Sequence, residues 1–527
     1  MNSSDLFSRK HSFLETESPK VLLLVNGIMA IVYIVALTFF FTPGNRILFG
    51  LLIAGEVFHL WQVLTFLYTV WDTSYVSPRK VQFNPSVDVY ITTAGESVDI
   101  VEKTVLAAKA MSYPHFKIFI LNDGYVAGKE NWHDIERLAE HLDVFCITRR
   151  SAGGAKAGNI NNALPYTHSP LIAIFDADHV PHSDFLAKTV PYFVNARVAF
   201  VQTPQFYKNF DANYLTNGSW AQQEIFFGPI CKGKNRLNSA TLCGTNMVLS
   251  RAAFSQVGGM CTDSIAEDFV TGLLLHARGY TSVYVPEVLA EGLAAEDLQS
   301  YSNQQFRWAR GAFDVIFRYN PLFMRGLSWA QRVQYLSSAS FYLAGIVVVI
   351  DALLPLMFFY TGAVAIQMSS MLLAAIFLPY IFLTLYMIGR VSKSSFTFQS
   401  LGFSMGSFGI HTSAFFAAIT GRKNTFLVTS KQALRGNFIP IIKWHLLYCV
   451  VALVGIVVAF DREGITASLL NNGMWALLNM SIFAPFIKTA LPARAAAPAT
   501  ASERSEHESE VISESLLSTR HLIHSQS

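Results

Sequence analysis

The chain has 527 residues, 52% of them hydrophobic and only 14% charged, so it is too apolar for an ordinary soluble protein and long enough for more than one domain. Its formal net charge of +3 is small, and it lacks zinc-finger, homeodomain or RNA-motif spacing, so no nucleic-acid partner is expected. Cys146, Cys231, Cys243, Cys261 and Cys449 are odd in number without C-x-x-C spacing, which predicts free thiols rather than a disulfide framework or a zinc site.

A short N-terminal segment, residues 1–20, leads into an apolar run at 21–41 that is long enough to cross the roughly 30 Å hydrocarbon core as a helix. It is too long, and starts too far in, for a cleavable signal peptide. A second run lies at 47–71. After a long polar segment, 80–320, further runs follow at 338–361, 367–389, 441–460 and 474–490, giving six expected spans, the last four within 321–491. Arg9, Lys10 and Lys20 precede the first span, and Arg390, Lys393, Arg422, Lys423, Lys431, Arg435 and Lys443 lie between the fourth and fifth; the opposite loops carry little beyond Arg46 and Arg462. That bias predicts a multi-pass protein of the plasma (inner) membrane with both termini and the polar segment in the cytoplasm. Membrane lipid is therefore an expected partner, with interfacial helices near 298–310, 327–336 and 396–419. Glu56 and Asp351 fall inside spans, where an ionised carboxylate facing lipid is costly; they read as paired structural groups, or alternatively as a polar lining for a translocated chain. The tail, 492–527, is rich in Ala, Ser, Glu and His and is expected to be disordered.

Within the polar segment, runs at 87–91, 117–121, 143–147, 171–175, 198–202 and 282–285 read as strands, and 101–111, 132–142 and 157–164 as helices. Their alternation predicts an α/β domain with a mainly parallel sheet. In such sheets ligands collect beyond the carboxyl ends of the strands. Polar residues fall there three times: Thr92-Thr93-Ala94-Gly95-Glu96, Asn122-Asp123-Gly124 and Asp176-Ala177-Asp178. Neither a dinucleotide fingerprint nor a P-loop is present, and Gly153-Gly154 before Lys156 has the wrong spacing for one.

Asp176 and Asp178 follow an apolar strand, and a turn after Phe175 would bring both carboxylates onto one hard cation carrying a nucleotide diphosphate. Asp268, beside Glu267 at the start of a helical run, offers a base for an acceptor hydroxyl, although an acid at a helix N-terminus is favourable in itself. Glu267 reads as orienting that site. Arg307 offers a planar fork for phosphate or hydroxyl groups, and Trp308 offers a broad face for a sugar ring or the membrane surface.

The ordered set resembles the family-2 processive glycosyltransferases, the cellulose-synthase-like group in particular. Val-Asp-Val-x-Ile-x-Thr-x-x-Glu stands at 87–96, Asn-Asp-Gly at 122–124, Ala-Lys-Ala-Gly-Asn at 155–159 and Asp-x-Asp at 176–178. Val-Gln-Thr-Pro-Gln follows at 201–205, then Cys-Gly-Thr-Asn at 243–246, Glu-Asp at 267–268 and Gln-x-x-Arg-Trp at 304–308. Phe-Leu-Val-Thr-Ser-Lys at 426–431 looks like the gating loop of that group. The resemblance implies a GT-A type nucleotide-sugar domain inserted between transmembrane helices. It implies Thr93, Glu96 and Asp123 on the uridine, Lys156 on the diphosphate, and Asp176 and Asp178 on UDP and Mg²⁺ (or Mn²⁺). Asp268 would be the general base, with Cys243, Gly244 and Thr245 beside the acceptor terminus. Gln304, Arg307 and Trp308 would shape the channel mouth, and Thr429 and Lys431 would meet the nucleotide when the loop closes.

The sequence departs from cellulose synthases at Gly95, Ala266, Gln305 and Ser430, which leaves the chemistry in place and loosens the product. No cyclic-dinucleotide domain is expected after the last span. The resulting expectation is an inverting, processive transferase that takes a UDP-sugar donor and a growing polysaccharide acceptor, with accessory export subunits or a homo-oligomer as further partners. A cellulose-like β-glucan from UDP-glucose is the expected product. The alternatives are another β-glycan (β-1,3 or mixed-linkage glucan, chitin-like or hyaluronan) or a non-catalytic transporter or scaffold.

Overall fold

Seven strands of the polar segment form one sheet in the computed structural model, which describes residues 17–75, 77, 82–367, 370–393, 397–421 and 437–491. They are β1 Val87–Thr93, β2 Phe116–Asn122, β3 Phe145–Thr148, β4 Leu171–Asp176, β5 Val198–Gln202, β6 Met247–Ser250 and β7 Thr281–Tyr284. Their order across the sheet is β7-β5-β6-β4-β1-β2-β3. β1 is buried along its whole length, as a central strand covered on both faces must be. Its alternate side chains serve two cores. Val87, Val89 and Ile91 join Val101 and Val105 of the helix Val98–Lys109, with Ile135 and Leu138 of the helix Trp132–His141. Tyr90 points the other way, into a core with Ile160 of the helix Ala155–Ala163 and Trp220 of the helix Tyr214–Ile225.

The six expected strands and three expected helices are all present. β3 starts at Phe145 rather than 143 because Asp143 turns the chain at φ 51°. One strand of this sheet is additional. β6 pairs antiparallel with both β4 and β5 inside an otherwise parallel sheet. With only four residues, Met-Val-Leu-Ser, it is too short to show a period. Its direction has a consequence for the site: an antiparallel strand begins at the edge where its neighbours end, so the preceding loop, 243–246, lies across the carboxyl ends of β4 and β5.

Among the described residues, five helical segments are long and apolar enough to cross a membrane: Lys20–Phe39, Arg46–Val70, Trp329–Thr361, Met371–Val391 and Ile439–Glu463. The sixth expected span is a helix, Ala467–Lys488, but Asn471, Asn472 and Asn479 make it more polar than the other five. It packs beside Phe398–Gly406 and Ile439–Glu463. Inside the spans, Tyr33 donates to Glu56 Oε1 at 2.9 Å, and His59 stands 3.6 Å from Glu56 and 3.9 Å from Asp351. Both intramembrane carboxylates are thus partnered. The five cysteines are free.

The α/β domain meets the C-terminal helices through aromatic contacts. Phe403, on Phe398–Gly406, meets the rings of Tyr214, Tyr301 and Phe486. Gly218 admits that ring, since a Cβ there would collide with it. Tyr301 donates to Gln222 Oε1 at 2.7 Å, and Gln222 donates to Ser404 Oγ at 3.2 Å. The three segments expected to be interfacial are helical, as Leu298–Asp314, Trp329–Ser340, Phe398–Gly406 and Phe408–Ile419. Thr429, Lys431 and the tail 492–527 lie outside the described residues.

Candidate active site

Asp176 ends β4 beside Thr92 of β1, whose hydroxyl donates to Asp176 Oδ1 at 3.1 Å. The chain then turns sharply, with the His179 amide donating to the Asp176 carbonyl at 3.0 Å. That turn removes the strand alternation that would have sent Asp178 to the far side. Asp176, Asp178 and His179 consequently bring one ligand atom each within 4.8 Å of one another. His179 is buried, its Nδ1 lies 3.4 Å from Asp178 Oδ1, and neither ring nitrogen makes a hydrogen bond among the described residues. Two carboxylates and an otherwise unused imidazole in one pocket fit a divalent cation. His179 was not among the residues expected from sequence.

Lys156 enters from the first turn of Ala155–Ala163, ion-paired to Asp176 and donating to the Gly244 carbonyl at 2.9 Å. The Asp176 amide donates to Thr245 Oγ1 at 2.9 Å, so the loop before β6 is fastened to the end of β4. Gln202 and Gln205 hold the same loop from beneath. Gln202 accepts from the Cys243 amide at 2.8 Å and donates to the Thr245 carbonyl at 2.8 Å, while Gln205 donates to the Cys243 carbonyl at 2.9 Å. Burial pushes the Cys243 thiol well above its ordinary pKa, so it contributes no thiolate.

Glu267 and Asp268 open the helix Glu267–Ala277. Gly244, at φ 80°, brings the loop against Asp268: a Cβ there would stand 2.8 Å from Asp268 Oδ2. Arg307, Gln304 and Trp308 share one face of Leu298–Asp314 by their i, i+3, i+4 spacing. All three are half-buried, and Arg307 lies within electrostatic reach of Glu267, Asp176 and Asp268. The opposite face places Ala309 and Phe313 against Ala414 of the membrane-side helix Phe408–Ile419. One helix thus joins the acidic site to the membrane helices. Gly311 lets it approach closely, since a Cβ would strike Ala266, where only a small side chain fits.

The acids respond in opposite directions. Burial alone would raise the Asp176 pKa, but Lys156 and His179 together outweigh it and hold the carboxyl below its ordinary value. Burial likewise works against the Lys156 charge, and Asp176 with Glu267 and Asp268 more than offsets it. Glu267 and Asp268 are both raised, chiefly by burial, and Glu267 is pushed up to about 7 with the Asp268 charge as its second cause. As neighbouring buried carboxyls they titrate as a pair.

Further along the sheet edge, Arg149 grips Asp123 with a two-pronged ion pair, Nε and Nη2 each 2.7 Å from a carboxylate oxygen. The same guanidinium donates to the Gly153 carbonyl and, at 3.2 Å, to that of Ala155. It therefore ties the loop bearing Asp123 to the turn bearing Lys156. Arg149 also escaped the sequence reading; its only signal is a position just after β3. Glu96 turns inward, accepting from Thr93 Oγ1 at 2.8 Å and the Ala94 amide at 2.7 Å, so its carboxylate closes its own turn. The structure thus gathers Lys156, Asp176, Asp178, Gly244, Thr245, Glu267, Asp268 and Arg307 into one site. Thr93, Glu96 and Asp123 border it, and Cys243 lies in its wall.

Residues 85–311 match the family model for glycosyltransferase like family 2, and residues 254–499 match that for cellulose synthase. Over these stretches the chain is similar to family-2 glycosyltransferases and cellulose synthases. The cellulose synthase catalytic subunit [UDP-forming] of Pseudomonas fluorescens is 34% identical over 304 residues, which cover 56% of this chain and 40% of that one. Cellulose synthase 1 of Komagataeibacter xylinus is 34% identical over 319 residues, covering 59% of this chain and 20% of the relative. The chain thus spans less than half the length of these curated relatives. Among solved structures, a mannosyltransferase from Pyrobaculum calidifontis in complex with GDP-Man and Mn²⁺ aligns at a TM-score of 0.49 and 17% identity, covering 71% of this chain and 100% of that one. The family-2 match accounts for the α/β domain, and the cellulose synthase match runs on through the membrane helices. The five apolar helices agree in making this a membrane protein.

Proposed function

We propose that the chain is an inverting, processive glycosyltransferase that extends a β-glucan from UDP-glucose at the cytoplasmic membrane face and passes it outward between its own helices. The observation that carries this reading is the division of labour among the acids around Gly244: one cluster neutralised by Lys156, the other left to gain a proton. Asp176, Asp178 and His179 would hold Mg²⁺ or Mn²⁺, which offsets the charge of the departing diphosphate. Lys156 would add a fixed cation beside that phosphate, and Arg149 would hold Asp123 in place for the nucleoside. Asp268, raised toward neutrality, would take the proton from the acceptor hydroxyl as the new bond forms. Arg307 would steady that acceptor, with the Trp308 face beneath its terminal sugar. The helix carrying both residues touches the membrane helices, which would put the nascent end at the mouth of a path across the bilayer.

The test is to incubate the purified full chain with each UDP-sugar and a divalent cation, then digest any product with linkage-specific glycanases. A glucanase-sensitive polymer from UDP-glucose supports the reading. A polymer from another UDP-sugar alone moves the product to chitin-like or hyaluronan chemistry, and UDP binding without transfer from any donor overturns it.

A further inference from the structure

Between Leu298–Asp314 and Trp329–Ser340 the chain makes a bend with no role in the site above. Residues 315–332 carry three arginines, Arg318, Arg325 and Arg332, and no acid. The bend is well anchored: Pro321 and Leu327 are buried, Asn320 turns at φ 37° and Gly326 at φ 88°. A Cβ at Gly326 would strike the Ala277 carbonyl. From this fixed frame large apolar groups face outward, with Phe323 76% exposed, Trp329 72% and Phe317 51%. The Arg332 guanidinium lies 5.4 Å from the centre of the Trp329 ring, and Arg318 donates to the Asp263 carbonyl at 2.9 Å. Arg325 is exposed and makes no ion pair or hydrogen bond among the described residues.

Bare rings are unfavourable in water, and rings interleaved with cations suit the boundary between acyl chains and headgroups. The bend also runs directly into a candidate span, Trp329–Thr361, which places it beside the bilayer. Guanidinium groups match phosphate geometry, and within residues 315–332 no acid opposes an anionic surface, although Asp263 stands beside Tyr319.

We propose that this bend is a binding site for anionic phospholipid headgroups. Phe317, Phe323 and Trp329 enter the bilayer boundary, and the three arginines select phosphate-bearing, negatively charged lipid over zwitterionic lipid. The proposal stands apart from the transfer chemistry.

The test uses the full chain in nanodiscs of zwitterionic lipid doped with equal amounts of brominated lipid, anionic in one set and zwitterionic in the other. The Trp329 contribution to fluorescence quenching is the difference between the native chain and Trp329→Phe. Greater quenching by the anionic set is expected, because each arginine near the surface favours anionic over zwitterionic lipid at the bend by about fivefold. In the triple variant Arg318→Gln, Arg325→Gln, Arg332→Gln it should fall to the zwitterionic level. UDP binding in neutral detergent, which should be unchanged, reports that each variant is folded. Quenching equal in both sets would overturn headgroup selection. No Trp329-dependent quenching in either set would overturn the lipid assignment and leave the surface for a soluble partner.

Discussion

Asp176 and Asp268 are half-buried acids of a single site, yet their surroundings prepare them for different work. Asp176 has Lys156 against it and a hydroxyl from Thr92, so it stays ionised, as a cation and phosphate site requires. At Asp268, set against the loop formed by Gly244, burial prevails over the Phe269 amide and Lys156, and the carboxyl gains affinity for a proton. A metal-holding carboxylate works best far from its pKa, and a general base works best near it. The difference arises from partners a few ångströms away rather than from the residue type.

The contrast can be broken at several points. The largest effect should follow Asp176→Asn, which leaves the Lys156 charge unmatched and strips the cation site; turnover should fall by about a thousandfold or more, with loss of the response to added divalent cation. Gly244→Ala places a Cβ against Asp268 at a left-handed backbone position. It should lower kcat by roughly a hundredfold, with a smaller change in UDP affinity, measured by initial rates and calorimetry. Arg149→Lys keeps a charge but loses the fork on Asp123 and the tie to the Lys156 turn. KM for the UDP-sugar should rise about tenfold while kcat changes little, consistent with one charged hydrogen-bonded pair.

The smallest effect concerns stability. With the Glu267 pKa raised to about 7, the native chain binds more protons than the unfolded chain between the ordinary carboxylate range and that value. Stability from this group is therefore present at low pH and lost as pH rises toward 7. Glu267→Gln should raise Tm at pH 8, by an amount corresponding to about 2 kcal/mol, and do less at pH 5. Asp176 has the opposite sign, its contribution being lost as pH falls through its lowered pKa. A thermal scan against pH separates the two.

How far the sequence discloses this arrangement depends on the range of the forces involved. Strand ends were readable because β1 and β4 are apolar runs followed by polar residues, and that placed Asp176, Asp178 and Asp123 on one edge. Asp268 and Arg307 stand out in the sequence by their chemistry, but their approach to Asp176 is a long-range contact that only the motif resemblance implied. β6 was hidden by its four-residue length, and with it the reason the loop 243–246 reaches the site. His179 looked like a residue following an acidic pair, and Arg149 like one of two consecutive arginines. Their roles depend on a turn and a buried ion pair that no periodicity reports. Glu96 shows the converse: its motif position points to the nucleoside, but its carboxylate is used within its own turn.

The most direct measurement is Asp268→Asn in the full chain, with UDP binding followed by calorimetry and polymer formation from UDP-glucose followed in the same preparation. The account predicts UDP affinity within about twofold of the native chain and turnover lower by roughly a thousandfold, because the donor cluster is intact and only the base is gone. Native turnover, or an equal loss of UDP binding and turnover, would contradict it.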